Sequence, residues 1–116
     1  MKFADSWLKF RRSAVGTKVW EANEWVVGAQ VHWSQEEPDK LMKAIRLLAS
    51  KCLTESEQEA LGTGPVEAVL AFHFDTFCAP IFELAQEKES VCKALRFVLV
   101  EHYDEAKFNQ LMRTLK

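Results

Sequence analysis

The run Thr54-Glu55-Ser56-Glu57-Gln58-Glu59-Ala60-Leu61-Gly62-Thr63-Gly64-Pro65-Val66-Glu67 holds a helix start, a stop and a second start in close succession. Thr54 followed by Glu57 is a capping box, in which hydroxyl and carboxylate each satisfy an orphan backbone N–H at a helix N-terminus. The short helix so opened runs to Leu61. Gly62-Thr63-Gly64-Pro65 then reads as a turn. A glycine takes the left-handed conformation past a helix end, and Pro65 suits the first position of the helix that follows. Gly62, Gly64 and Pro65 are therefore expected as structural turn residues. The segment has neither the GxxxxGK[ST] spacing nor the preceding strand of a phosphate-binding loop. Helices joined by so few residues pack as antiparallel hairpins.

Upstream, Phe3, Trp7 and Phe10 fall at helical spacing and predict a first helix over about residues 5–14, ending near Gly16. Thr17 caps a second, running to about Ser34. Trp20, Val27 and Val31 share one face of it, and Trp25, Ala29, Trp33, Ala22 and Val26 cover most of the opposite face. A helix apolar nearly all round is either sandwiched between neighbours or shows part of itself to a partner. Trp25 and Trp33 are thus candidate interface anchors as well as candidate core. Pro38 starts a third helix, whose stripe is Leu41, Ile45, Leu48 and Cys52.

Downstream, Val66, Val69, Leu70 and His73 line one side of a fifth helix. Pro80 predicts a break or restart near Thr76 to Ala79, because it lacks a donor and crowds the preceding turn. Ile81, Leu84 and Ala85 belong to a sixth helix. Ser90 caps a seventh, with Val91, Leu95, Val98 and Leu99 inward, and Asp104 caps the last, with Phe108, Leu111, Met112 and Leu115 on its stripe. The run Phe97-Val98-Leu99-Val100 has strand-like composition, yet its flanks continue the helical period, so it is read as helix. The expected fold is all-α: a compact array of short antiparallel helix hairpins, six to eight helices, HEAT-like or an irregular bundle, forming a single helical domain over residues 1–116.

Composition agrees. A chain of 116 residues, 48% hydrophobic and 28% charged, suits one ordinary globular core, and its four Gly and three Pro are too few for a many-turned β-sandwich. Apolar runs such as Phe97 to Val100 are far shorter than a bilayer requires, and Met-Lys-Phe-Ala-Asp-Ser-Trp lacks the pattern of a secretory leader. The three cysteines, Cys52, Cys78 and Cys92, are an odd number without close pairing. They read as reduced core residues, so a cytoplasmic location and no membrane partner are expected.

Chemistry is sparse. His32, His73 and His102 form no i, i+4 pair, and the cysteines no C-x-x-C, so neither a metal site nor a cofactor is expected. His73 near Cys78 lacks a third orienting group. Lys9, Arg11 and Arg12 are too small a basic patch for nucleic acid beside so much acid. The acid itself is unevenly spread. Residues 21–39 carry five acids and no Lys or Arg, and residues 52–87 carry seven and none. The longer stretch, 52–87, is either a set of solvated helix faces or a surface that attracts a basic protein. Glu55, Glu57, Glu59, Glu67 and Asp75, with Trp25 and Trp33, are the expected partner-binding residues.

Leu61-Gly62-Thr63-Gly64-Pro65-Val66-Glu67, with Leu70 and His73, resembles the turn of an uncharacterised family of small bacterial all-helical proteins. That family carries a G-x-G-P-hydrophobic-E turn followed, two helical turns on, by a histidine. Asp5-Ser6-Trp7-Leu8, Glu21-Ala22-Asn23-Glu24-Trp25, Phe82-Glu83-Leu84-Ala85 and Ala94-Leu95 are also similar to it, whereas Cys78-Ala79-Pro80 and the tail after Tyr103 depart from its pattern. The resemblance implies a compact helical array in a group whose members often look like immunity proteins of bacterial toxin systems. Together these readings predict a non-enzymatic protein-binding domain, best read as an immunity protein that neutralises a basic toxin domain through an acidic surface. A helical scaffold or adaptor is the alternative, and a small enzyme using Glu67 and His73 the alternative of another class.

Overall fold

In the computed structural model, which describes residues 2–99 and 105–115, every regular element is a helix. In chain order these are α1 (Lys2–Arg12), α2 (Lys18–Asn23), α3 (Trp25–Glu36), α4 (Pro38–Ala49), α5 (Glu55–Leu61), α6 (Glu67–Glu87), α7 (Glu89–Leu95) and α8 (Glu105–Met112). A π-helical turn, Gly62–Val66, joins α5 to α6. The chain is an all-α compact array, as its helical period predicts.

The caps form where the residue types demand them. Thr54 Oγ1 accepts from the Glu57 N–H at 3.2 Å, and Glu57 Oε1 accepts from the Thr54 N–H at 2.9 Å, so the capping box at the head of α5 is complete. Thr17 accepts from the Trp20 N–H at the start of α2, and Pro38 opens α4, where its missing donor costs nothing. Leu41, Ile45 and Leu48 are fully buried from α4, together with Phe3 of α1, Val26 of α3, Leu70 and Ile81 of α6, and Val91 and Leu95 of α7. Cys52 is not part of that stripe. Helix α4 ends at Ala49, which leaves Cys52 exposed, while Cys78 is buried and Cys92 half-buried.

The middle of the chain departs from its sequence reading. Gly62-Thr63-Gly64-Pro65 does not stop the helix: the chain runs helically from Glu55 to Glu87. Gly62 has φ −67°, and Gly16, at φ 86°, is the one positive-φ residue among those described. Instead of a left-handed turn, the helix widens by one residue, and the Glu67 N–H reaches the Gly62 carbonyl five residues back. A widened turn accommodates Pro65, which cannot supply the ordinary i→i−4 donor. Gly62 serves closeness instead of turning. A Cβ built on it would lie 2.0 Å from the Ala94 carbonyl oxygen, so its bare backbone lets α7 pack against the widened turn.

Nor does Pro80 break its helix near Thr76 to Ala79. Helix α6 passes through Pro80, and its irregular residue is His73 (φ −140°, ψ 43°), where the axis kinks. Thr76 and Ala79 are exposed, so water can take up the carbonyl that Pro80 leaves free. The helical stretch Glu55–Glu87, kinked at His73, is long and apolar enough by composition to cross a bilayer, yet half of its most apolar window is buried inside the fold. Helices α3, α4 and α7 pack against it.

Three further differences concern boundaries. The predicted second helix divides at Glu24, where i→i+3 bonds (Glu24 N–H to Glu21, Val27 N–H to Glu24) tighten the backbone. Trp20 is thereby separated from Val27 and Val31, and stacks on Phe10 with ring centres 5.2 Å apart. Ser90 does not cap α7; Lys88 precedes that helix, and the Ser90 hydroxyl donates to the Ala49 carbonyl at 3.2 Å, tying α7 to the end of α4. The run from Phe97 is not helical. Helix α7 stops at Leu95, Phe97 and Val98 close tight turns, Val98 is buried, and Leu99 points outward. Val100 and the expected cap Asp104 lie outside the described residues.

Candidate protein-binding face

The acids of residues 52–87 do not share one surface. Glu55 and Glu59 are exposed on α5, but Glu57 between them is buried. Its carboxylate accepts from Arg12 through Nε at 2.6 Å and Nη2 at 3.0 Å, as well as from the Thr54 N–H. The Arg12 hydrogen bond, outweighing the effect of burial, holds the Glu57 carboxyl below its ordinary range; the same bond raises Arg12. Glu57 is therefore a brace between α1 and α5, not a surface acid.

The remaining members are likewise occupied or dispersed. Glu67 Oε1 accepts from the Leu99 N–H at 2.7 Å and holds the segment that leaves α7. Asp75 is exposed, 3.9 Å from Lys107 Nζ. Glu55 borders a shallow depression of about 360 Å³ shared with Lys93 and Arg96, and Glu59 borders one of about 260 Å³ shared with Arg11. A partner meeting α5 thus meets bases among the acids.

Glu67 and His73 are not brought together by any hydrogen bond among the described residues. The His73 ring stands edge-on to Phe77 with centres 6.2 Å apart, and its Nε2 is buried without a hydrogen-bond partner. No three His, Cys, Asp or Glu side chains converge as metal ligands among the described residues. A depression of about 550 Å³ lies between the end of α6, α7 and the tail after α8, with Gln86, Glu89, Cys92 and Leu115 on its walls.

The two tryptophans share a support. Trp33 is half-buried with its ring 5.1 Å from that of Phe3, and Lys40 Nζ lies over the Trp33 ring, 5.6 Å from its centre. Trp25 meets Phe3 edge-on at 6.0 Å and remains 44% exposed. Helix α3 as a whole is not sandwiched. Val26 and Ser34 are buried, while Val27 and Val31, one turn apart, are 51% and 54% exposed. Helical spacing places Gly28 and Gln35 on that outer side, with His32 and Trp25 beyond them. Glu21, Glu24 and Glu36 are exposed at its two ends, and no ion pair within 4.0 Å engages them among the described residues.

This outer face of α3 is an apolar surface that the fold leaves open. Trp25, which the sequence reading sets opposite Val27 and Val31, borders it on the far side of Gly28; Trp33 packs on Phe3. Gly28 and the bracketing acids were not singled out by sequence reasoning. The available signal was a glycine in the interior of a helix that has no polar side. No known protein family, curated protein sequence or solved structure matches this chain.

Proposed function

We propose that the chain is a protein-binding domain that acts without chemistry of its own, and that its partner is a basic protein which it inhibits by covering, as an immunity protein covers a toxin domain. The observation that carries this reading is α3: Trp25, Val27 and Val31 stay open to solvent on a helix whose other side is core. Contiguous apolar surface rimmed by polar groups marks protein interaction sites. Glu21, Glu24 and Glu36 around it, outside any ion pair among the described residues, favour a positively charged partner. Supporting the same reading, Glu67 is bonded to the Leu99 backbone and so is drawn away from any acid–base role beside His73.

The test is capture from the native host with the tagged chain as bait. One basic protein should be recovered in stoichiometric amount, and its toxicity when expressed alone should disappear on co-expression with this chain. A stoichiometric partner that is harmless by itself would replace the inhibitor with a scaffold or adaptor. Recovery of no stoichiometric partner would overturn the binding role itself.

A further inference from the structure

Glycine in a helix interior is less favourable than any residue but proline, so an interior glycine needs a reason. Three of the four glycines have one inside the molecule. Gly16 takes φ 86°, Gly62 lies against the Ala94 carbonyl, and a Cβ on Gly64 would crowd Gln30 at 3.2 Å. Gly28 has none. Its φ is not positive, and a Cβ built on it would meet nothing within 4 Å. It sits mid-helix on the outer side of α3, between Val27 and Val31 on one flank and Trp25 and His32 on the other. The missing side chain makes a notch bordered one helical turn away by Trp25 and Val31 and by the polar Glu24 and His32, and the distance at which two helices pack is set by the side chains at their contact.

We infer that the Gly28 notch on α3 is the seat of an amphipathic helix from a partner protein, one that presents an apolar stripe flanked by Lys or Arg. This rests on the reading of the chain as a protein-binding domain and names its docking face. The flanking charge selects the occupant. Residues 21–39 carry five acids and no Lys or Arg, and Glu21, Glu24 and Glu36 bracket the notch. A second copy of this chain fits α3 less well. In a parallel pairing Glu24 meets Glu24 and Glu36 meets Glu36; in an antiparallel pairing centred on the notch, Glu24 faces His32 and Glu36 faces Trp20. Neither arrangement offers a Lys or Arg to these acids, whereas a basic helix gains from both ends of the face.

The experiment titrates isotope-labelled full-length chain with a synthetic helical peptide bearing a leucine stripe flanked by lysines, and with its twin in which glutamates replace the lysines. The lysine peptide should move the amide resonances of residues 24–35 in a saturable way, and the glutamate twin should bind at least about tenfold more weakly. Gly28→Gln should lose the lysine peptide while melting no lower than the parent, because a long side chain fills the notch and glutamine is the better helix former. Glu24→Lys with Glu36→Lys should weaken the same peptide without touching the notch.

Resonance changes centred elsewhere, equal binding of both peptides, or undiminished binding by Gly28→Gln would overturn the proposal. A lower melting temperature of Gly28→Gln would show that the fold itself needs this glycine, which removes the argument. Self-association abolished by Gly28→Gln would assign the face to a second copy and refute the basic helix. If the captured native partner binds Gly28→Gln as well as the parent, the face is wrong and the binding role stands. If the lysine peptide binds α3 and no native partner exists, the face stands and the role fails.

Discussion

Glu57 and Gly62 show how much single residues of this chain do at a distance. The Glu57 carboxyl, held below its ordinary value of 4.5 first by Arg12, is more readily ionised folded than unfolded. Its contribution to stability is present above that ordinary value and is lost as pH falls through the lower, folded one. The melting temperature of the parent should therefore fall more steeply on acidification below about pH 4.5 than that of Glu57→Gln, which is less stable at neutral pH. Parallel slopes in thermal melts would mean that the brace carries no pH-dependent stability. Gly62→Ala places a methyl group against the Ala94 backbone and should cost about 1–3 kcal/mol or more in urea unfolding, since backbone cannot move aside as a side chain can. Gly64→Ala meets the mobile end of Gln30 and should cost much less. Equal losses would contradict the close approach of α7.

At the scale of elements, α3 and the exit from α7 carry the consequences. Helix α3 should gain roughly 0.5–1 kcal/mol from Gly28→Ala, because alanine orders at lower entropic cost and finds open space. Denaturant unfolding measures this directly, and a loss of stability would mean that something in the fold occupies that space. The segment after α7 is held by a carboxylate. Its amide at Leu99 donates to Glu67, so hydrogen exchange at Leu99 should be slowed in the parent and should approach the rate of an open amide in Glu67→Ala. Unaltered protection would assign that hydrogen bond elsewhere. The same carboxylate takes the Leu99 N–H in place of an i→i−4 carbonyl, after Phe97 and Val98 have closed i→i−3 turns onto Ala94 and Leu95. Helical period predicts continuation here because it registers only local bonds.

For the whole molecule, the net charge of −2 hides how the acids are distributed in space. Those of α5 lie near Arg11, Lys93 and Arg96, or are buried against Arg12; at the ends of α3, Glu37 pairs with Lys40, whereas Glu21, Glu24 and Glu36 form no ion pair among the described residues. Reversal of Glu55 and Glu59 to Lys should change stability by no more than about 0.5 kcal/mol, as is usual for exposed sites. It should also leave affinity for the captured basic partner within a few-fold at both low and high salt. A tenfold or greater loss would return the binding surface to α5. The far-UV circular dichroism of the intact chain should be dominated by helix, and a substantial sheet signal would contradict the array itself.

Whatever depends on neighbours within a turn or two is legible in the sequence alone. Helical class follows from the 3.6-residue period, the α4 core stripe from Leu41, Ile45 and Leu48, and the helix starts at Thr17, Pro38 and Thr54 from capping chemistry that acts over three or four residues. The rest emerged only on packing, because the contacts responsible join residues far apart in the chain. Glu57 looked like one more surface acid until Arg12, 45 residues away, met it. Gly62 looked like a turn until α7 came to lie against it, and Glu67 looked like part of an acidic face until Leu99 claimed it. The outer face of α3 is legible only by subtraction. A helix apolar on all sides does not reveal which side its neighbours will cover; that is fixed by where α1, α4 and α6 pack, and what they leave open is Val27, Gly28 and Val31.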